Sequence, residues 1–130
     1  LPQLNAYQFE SAIFRNNGNA TFTIEILPPQ AQYFPVNSII IRDFNEDGFL
    51  DLLIAGNNYD IRPESGKIDA GFGLLLNGNA NRNFTAIPAL QSNVFIPGET
   101  RDMQIVSINR KHYLLIAKSH GSLQVLQLGN

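Results

Sequence analysis

The chain has 130 residues, a formal net charge of −2, no cysteine, and 44% hydrophobic against 15% charged residues. That is length and apolar content enough for one packed domain rather than a disordered chain. The charge balance argues against nucleic acid as a partner, missing thiols remove disulfides and thiolate metal sites, and no apolar run reaches the ~18–20 residues that span a bilayer as a helix.

The chain starts at Leu1 without a signal-peptide pattern, so it is expected to be a mature fragment or an excised domain of something longer. Gly18-Asn19 is a hairpin-turn signal. The following Thr21-Phe22-Thr23-Ile24-Glu25-Ile26 alternates polar and apolar residues, which predicts a strand with Phe22, Ile24 and Ile26 on one buried face. Pro28-Pro29 closes it, because proline cannot donate to a ladder. Ser38-Ile39-Ile40-Ile41 and Leu52-Leu53-Ile54-Ala55 are short apolar runs bounded by turn residues, again strands.

Between those runs lies Asp43-Phe44-Asn45-Glu46-Asp47-Gly48-Phe49-Leu50-Asp51. Oxygen-bearing side chains alternate at Asp43, Asn45 and Asp47. Gly48 sits where the backbone must turn with positive φ, the Phe49 carbonyl can point inward, and Asp51 can close the ring. Calcium takes roughly 6–8 oxygen ligands, and the first half of an EF-hand loop uses this alternation with glycine at its sixth position. The loop is not an EF-hand, because Ile54 occupies the twelfth position, where a bidentate glutamate is needed. Asp43, Asn45, Asp47, Phe49 and Asp51 are therefore the expected ligands of a Ca²⁺ cofactor on a β-hairpin, with water completing the shell and Glu46 turned to solvent. The alternative is a polar hairpin turn that needs no metal.

After the second apolar run comes a long connection through residues 57–71, which carries Tyr59, Arg62, Glu64, Lys67 and Asp69. Leu74-Leu75-Leu76 is a further strand run, and Asn77-Gly78-Asn79 is a turn signal. The segment 88–100 carries Phe95 and Glu99 and leads into Arg101. Long loops rich in aromatic and charged residues often hold binding sites. Tyr59, Arg62, Glu64, Phe95, Glu99 and Arg101 are thus candidate contacts for a protein or glycan partner. The plainer alternative is that these loops cover strand edges, with Arg62 or Arg101 pairing local carboxylates. No catalytic residues are assigned and no enzyme is expected. His112 and His120 sit at turns with no visible nucleophile, and no phosphate loop or His-x-x-x-His pattern occurs.

The sequence also repeats. Leu52-Leu53-Ile54-Ala55 recurs as Leu114-Leu115-Ile116-Ala117, Phe22-Thr23 as Phe84-Thr85, and Pro35 as Pro97, all at a shift of 62 residues. This divides the 1–130 domain into related units of about 11–77 and 78–128. Under the shift Asp43 falls on Ile105, Asp47 on Asn109, Gly48 on Arg110 and Asp51 on Tyr113. The second unit would keep the strands and turn plainly at Asn109-Arg110-Lys111. That contrast favours a specific task for the acids of the first unit.

Asp-Phe-Asn-x-Asp-Gly-x-x-Asp followed by Leu52-Leu53-Ile54-Ala55-Gly56 resembles the FG-GAP or VCBS repeat of calcium-bearing integrin-α propeller blades. Phe72-Gly73 before the leucine run, and Phe84-Thr85, resemble the third and outer strands of such a blade. The stretches 55–59 and 66–70 are similar to the last blades of large bacterial secreted FG-GAP proteins. The resemblance implies an all-β fold of antiparallel four-stranded β-propeller blades, about one whole blade with parts of two others. Strands would lie at about 38–43, 51–56, 72–77 and 83–87, then 101–107, 113–118 and 122–128, with 11–15 and 21–26 ending a preceding blade. It also implies a calcium-stabilised binding or scaffold module of a secreted, periplasmic or cell-surface protein. Such a piece leaves sheet edges open, so a longer parent, association with other copies or another way of closing the strands is expected. A lectin-like glycan-binding module and a non-catalytic fragment of a polysaccharide-degrading propeller enzyme are the alternatives.

Overall fold

The computed structural model describes residues 5–61, 64 and 66–129. Among them nine strands form: β1 (Ala12–Asn16), β2 (Phe22–Ile26), β3 (Val36–Arg42), β4 (Asp51–Gly56), β5 (Leu74–Gly78), β6 (Phe84–Ile87), β7 (Thr100–Ile108), β8 (Lys111–Lys118) and β9 (Gln124–Gln127). Each lies within two residues of its expected bounds. A short 3-10 turn (Pro29–Gln32) follows β2, and one turn of helix, α1 (Ala89–Ser92), follows β6. The fold is all-β, and every strand pairs with its chain neighbour antiparallel, in sheets of order β1-β2, β3-β4-β5-β6 and β7-β8-β9.

The stacking of these sheets explains the unbroken apolar run of β4. Successive strand side chains point to opposite faces, and both faces of β4 are covered. Leu52 and Ile54 pack with Leu27, Ala31, Phe34 and Leu76 on the side of β1. Leu53 and Ala55 pack with Ile96, Met103, Leu114 and Ile116 on the side of β7 and β8. All six residues of β4 are buried. Burying each large aliphatic side chain there contributes about 1.5–3 kcal/mol, so the middle strand anchors both cores.

The expected burial of Phe22, Ile24 and Ile26 is not found; they are 58%, 48% and 59% exposed. Alternation identified the strand but not the covered face. The inward face of the β1-β2 sheet is the opposite one, where Ile13 packs against the core and Arg15 bonds Glu25 at 2.7 and 2.5 Å. These bonds hold the Glu25 carboxyl below the usual range.

Strand register refines the repeat. Asn16 opposes Phe22 as Gly78 opposes Phe84, and both correspondences keep the shift of 62 residues. Ile41 opposes Leu52, whereas Ile105 opposes Leu114. The second strands therefore keep the shift of 62, but β3 and β7 are offset by 64. Asp43 accordingly corresponds in space to Ser107 and not to Ile105, while Asp51 still corresponds to Tyr113. The physical reason is the turn. Between equivalent pairs the first hairpin has eight residues and the second six, and the second continues its ladder through Ser107–His112 and Ile108–Lys111. Asn109 and Arg110 then turn tightly at φ 50° and 63°, the handedness a two-residue hairpin requires.

At the end of β4 remote from the acidic loop, Asn57 is 1% exposed with φ 82°. Its amide nitrogen donates to the carbonyls of Gly71 (2.7 Å) and Gly98 (3.0 Å), and its oxygen accepts the Gly71 N–H at 2.8 Å. One side chain thus ties β4 to the approaches of β5 and β7. Neighbouring Asn37 adds bonds to the carbonyls of Asn57 and Thr100, and the Ser38 hydroxyl accepts the Met103 N–H, joining β3 to β7. Replacing Asn57 by Ala strands two buried backbone groups of Gly71 and the half-buried Gly98 carbonyl, and leaves positive φ without a compensating side-chain bond. Asn57→Ala is expected to lower stability by roughly 2–4 kcal/mol in urea denaturation, with Asn57→Asp intermediate because it keeps only the acceptor.

Candidate metal centre and the opposite rim

The 43–51 loop folds around its own side-chain oxygens. The Asp43 carboxylate accepts the N–H groups of Asp47 (3.2 Å) and Gly48 (2.8 Å). The Asn45 oxygen accepts the Asp47 N–H at 3.1 Å, and Asp47 accepts the Phe49 N–H at 2.9 Å and the Asn45 amide at 2.9 Å. Short polar side chains bonded to backbone two residues on favour this tight turning. Glu46 and Gly48 take positive φ, 60° and 87°, and only at the glycine is that free of steric cost. The Phe49 carbonyl accepts no backbone hydrogen bond among the described residues.

Asp51 differs from the other acids. It is fully buried, and its two oxygens accept the Phe44 N–H and the Gly78 N–H, each at 2.9 Å. The first bond clasps the mouth of the loop, and the second reaches across to β5. Gly78 has to be glycine, since a Cβ there would meet the Leu50 carbonyl at 2.2 Å. Sequence spacing placed Asp51 as a ligand. Its structural part, bracing two strands through a contact 27 residues distant, carries no local sequence signal.

Among the described residues no three Asp, Glu or His side chains converge closely enough to hold a metal ion unaided. The loop's donor set is mixed instead: carboxylates from Asp43 and Asp47, an amide oxygen from Asn45, the Phe49 carbonyl, and Asp51 at the base. A carboxylate has about four lone-pair sites, and each of these acids accepts two hydrogen bonds. The residues therefore fit a hard, oxygen-seeking cation, with calcium's loose geometry suiting the mixed set.

The candidate partner residues gather at the other end of β4. The Tyr59 hydroxyl donates to Asp69 at 2.8 Å, and the Lys67 ammonium lies 4.9 Å from the centre of the Tyr59 ring. Arg101 is 3.3 Å from Glu99 and 3.6 Å from Asp60, and its Nε donates to the Ser119 hydroxyl. Glu99 is only 2% exposed, and its other oxygen has no partner among the described residues. Phe95 stacks on Phe72, with ring centres 5.6 Å apart and planes 7° from parallel. Glu64 is exposed, and Arg62 lies outside the described residues. Asp60, Ser119 and the Phe72 side of the stack were missed, because their partners come from distant segments. At the tip of the β7-β8 hairpin the structure also places a hydroxyl beside His112, where none was expected: Ser107 Oγ is 2.8 Å from its Nδ1. They are cross-strand neighbours on exposed backbone, and among the described residues no third group orients the imidazole as a catalytic triad would require.

Comparison with protein-family models, characterised proteins and solved structures returns no match.

The Tyr59 phenol is raised above its ordinary value of about 10, first by its bond to the Asp69 carboxylate, then by burial and by the negative charges of Asp69 and Glu99. A raised folded-state value stabilises the fold below the ordinary phenol value. That contribution is lost as pH climbs through the raised one. Ultraviolet difference titration against Tyr59→Phe is expected to show this tyrosine ionising late, and Asp69→Asn is expected to bring it back down.

Proposed function

We propose that this chain is a calcium-binding β module whose 43–51 loop holds the ion through Asp43, Asn45, Asp47, the Phe49 carbonyl and Asp51. Its three antiparallel sheets are read as parts of β-propeller blades of the FG-GAP/VCBS type, serving as a binding or scaffold module of a secreted, periplasmic or cell-surface protein. The observation that supports the metal reading best is the loop's contrast with its sister. The β7-β8 hairpin closes with a two-residue turn and no acid, whereas the β3-β4 hairpin has eight residues between Arg42 and Asp51, with side-chain oxygens wound inward onto its own N–H groups. A four-stranded meander flanked by sheets that share both faces of β4 supports the blade reading. The rim of Tyr59, Glu64, Phe95 and Arg101, with Glu99 buried and paired to Arg101, is the surface for a protein or glycan partner, and the parallel Phe72–Phe95 pair favours a flat, partly apolar contact.

In this reading the cation draws Asp43, Asp47 and Asp51 together and offsets the repulsion that would otherwise keep them apart, so binding becomes folding free energy. Modules of this kind hold calcium at about 10⁻⁴–10⁻³ M. At free calcium about one hundred times Kd, the gain in stability is about 2.7 kcal/mol. Calorimetry is expected to show one calcium site and an upward shift in Tm that EDTA reverses. Asp43→Ala and Asp47→Ala abolish both effects, while magnesium substitutes poorly because it dehydrates reluctantly. Equal Tm in calcium and EDTA for the unmodified chain would overturn the reading.

A further inference from the structure

We propose that the cleft between the four-stranded and three-stranded sheets binds a small amphipathic carboxylate, with its apolar chain between the leucines and its head group on Arg42. The cleft has a volume of about 360 Å³, at the lower end of the range for small-molecule sites. Its walls include Leu53, Leu75, Val94, Leu114 and Leu126, and Arg42, Asp43 and Glu46 border its polar side.

Charge selects the occupant. Arg42 is half-buried and makes no ion pair or side-chain hydrogen bond among the described residues, unlike Arg15 with Glu25 or Arg101 with Glu99. A guanidinium beside apolar walls is a strong, directional hydrogen-bond donor to a carboxylate. Among the described residues Asp43 makes no ion pair with Arg42, its carboxylate turning back onto the N–H groups of Asp47 and Gly48. A cationic or neutral amphiphile would leave Arg42 without an anion, so an aliphatic carboxylate complements the cleft and its ammonium counterpart does not.

The same mouth couples the cleft to the acidic loop, and this part rests on the metal reading. With no ion bound, Asp43 and Glu46 oppose Arg42 and weaken its hold on an anion. A divalent cation on the loop offsets that opposition and strengthens carboxylate binding. Carboxylate affinity therefore rises with calcium, and by linkage calcium affinity rises with carboxylate.

Octanoate is the probe, titrated into the chain by NMR in calcium and in EDTA, with octylammonium as the charge-reversed control. Octanoate is expected to shift resonances of the leucine walls, to bind more tightly in calcium, and to lose roughly tenfold in affinity in Arg42→Gln. Glu46→Gln is expected to bind octanoate more tightly in EDTA, and this exposed variant keeps the test open if Arg42→Gln folds poorly. Octanoate that binds Arg42→Gln as well as the parent, octylammonium that binds equally, or no octanoate binding while calcium binds normally would each overturn the proposal and leave the metal reading standing. Arg42-dependent octanoate binding by a chain that takes up no calcium would uphold the cleft and sink the metal reading instead.

Discussion

The buried carboxylate of Asp51 is the constraint on which the acidic end of the molecule depends. Removing a charge from water costs several kcal/mol unless hydrogen bonds replace the lost solvent. Here two backbone N–H groups do so, one from Phe44 at the base of the loop and one from Gly78 on β5. The arrangement works in both directions. The loop cannot open without exposing Asp51, and β5 cannot leave β4 without stranding the same carboxylate. Any ion that settles on the loop therefore acts on the four-stranded sheet, and not only on an exposed turn.

The far end of β4 is built on a parallel principle with a neutral group. Asn57 ties three chain segments through one amide, much as Asp51 ties two through one carboxylate. Between these pins, β4 buries alternate residues in two separate cores. The outcome is a rigid central strand with a polar knot at each end. One knot underlies the acidic loop and the other underlies the rim of Tyr59, Glu99 and Arg101, so both candidate surfaces stand on the same support.

What was legible in the sequence was what depends on local spacing. The strand runs, the turns at Gly18-Asn19 and Asn109-Arg110, and the alternating oxygens of residues 43–47 all express periods of two or fixed turn chemistry. What was illegible depends on distant partners. Nothing near Asp51 announces Gly78, and nothing near Asn57 announces Gly98. The alternation at residues 22–26 marks a strand equally well whichever face is covered, so Phe22 and Ile24 were assigned to the wrong side. The repeat was read at one offset, although two residues of extra turn in the first hairpin move β3 by two against β7. The contact of Ser107 with His112 likewise followed only once the register was known.

The β3-β4 loop and the cleft beside it share Asp43 and Glu46, while the shorter β7-β8 hairpin has neither acid at its turn. Two more residues in the turn and a set of acids thus distinguish the β3-β4 hairpin from the β7-β8 hairpin, while both are carried on antiparallel ladders. The central claim is that Asp51 transmits events at the loop to the sheet. Amide hydrogen exchange at Gly78, measured in EDTA and again in saturating calcium, tests it most directly. The account predicts a protected Gly78 N–H whose exchange slows further when calcium is added; rapid exchange at Gly78 in both conditions would contradict it.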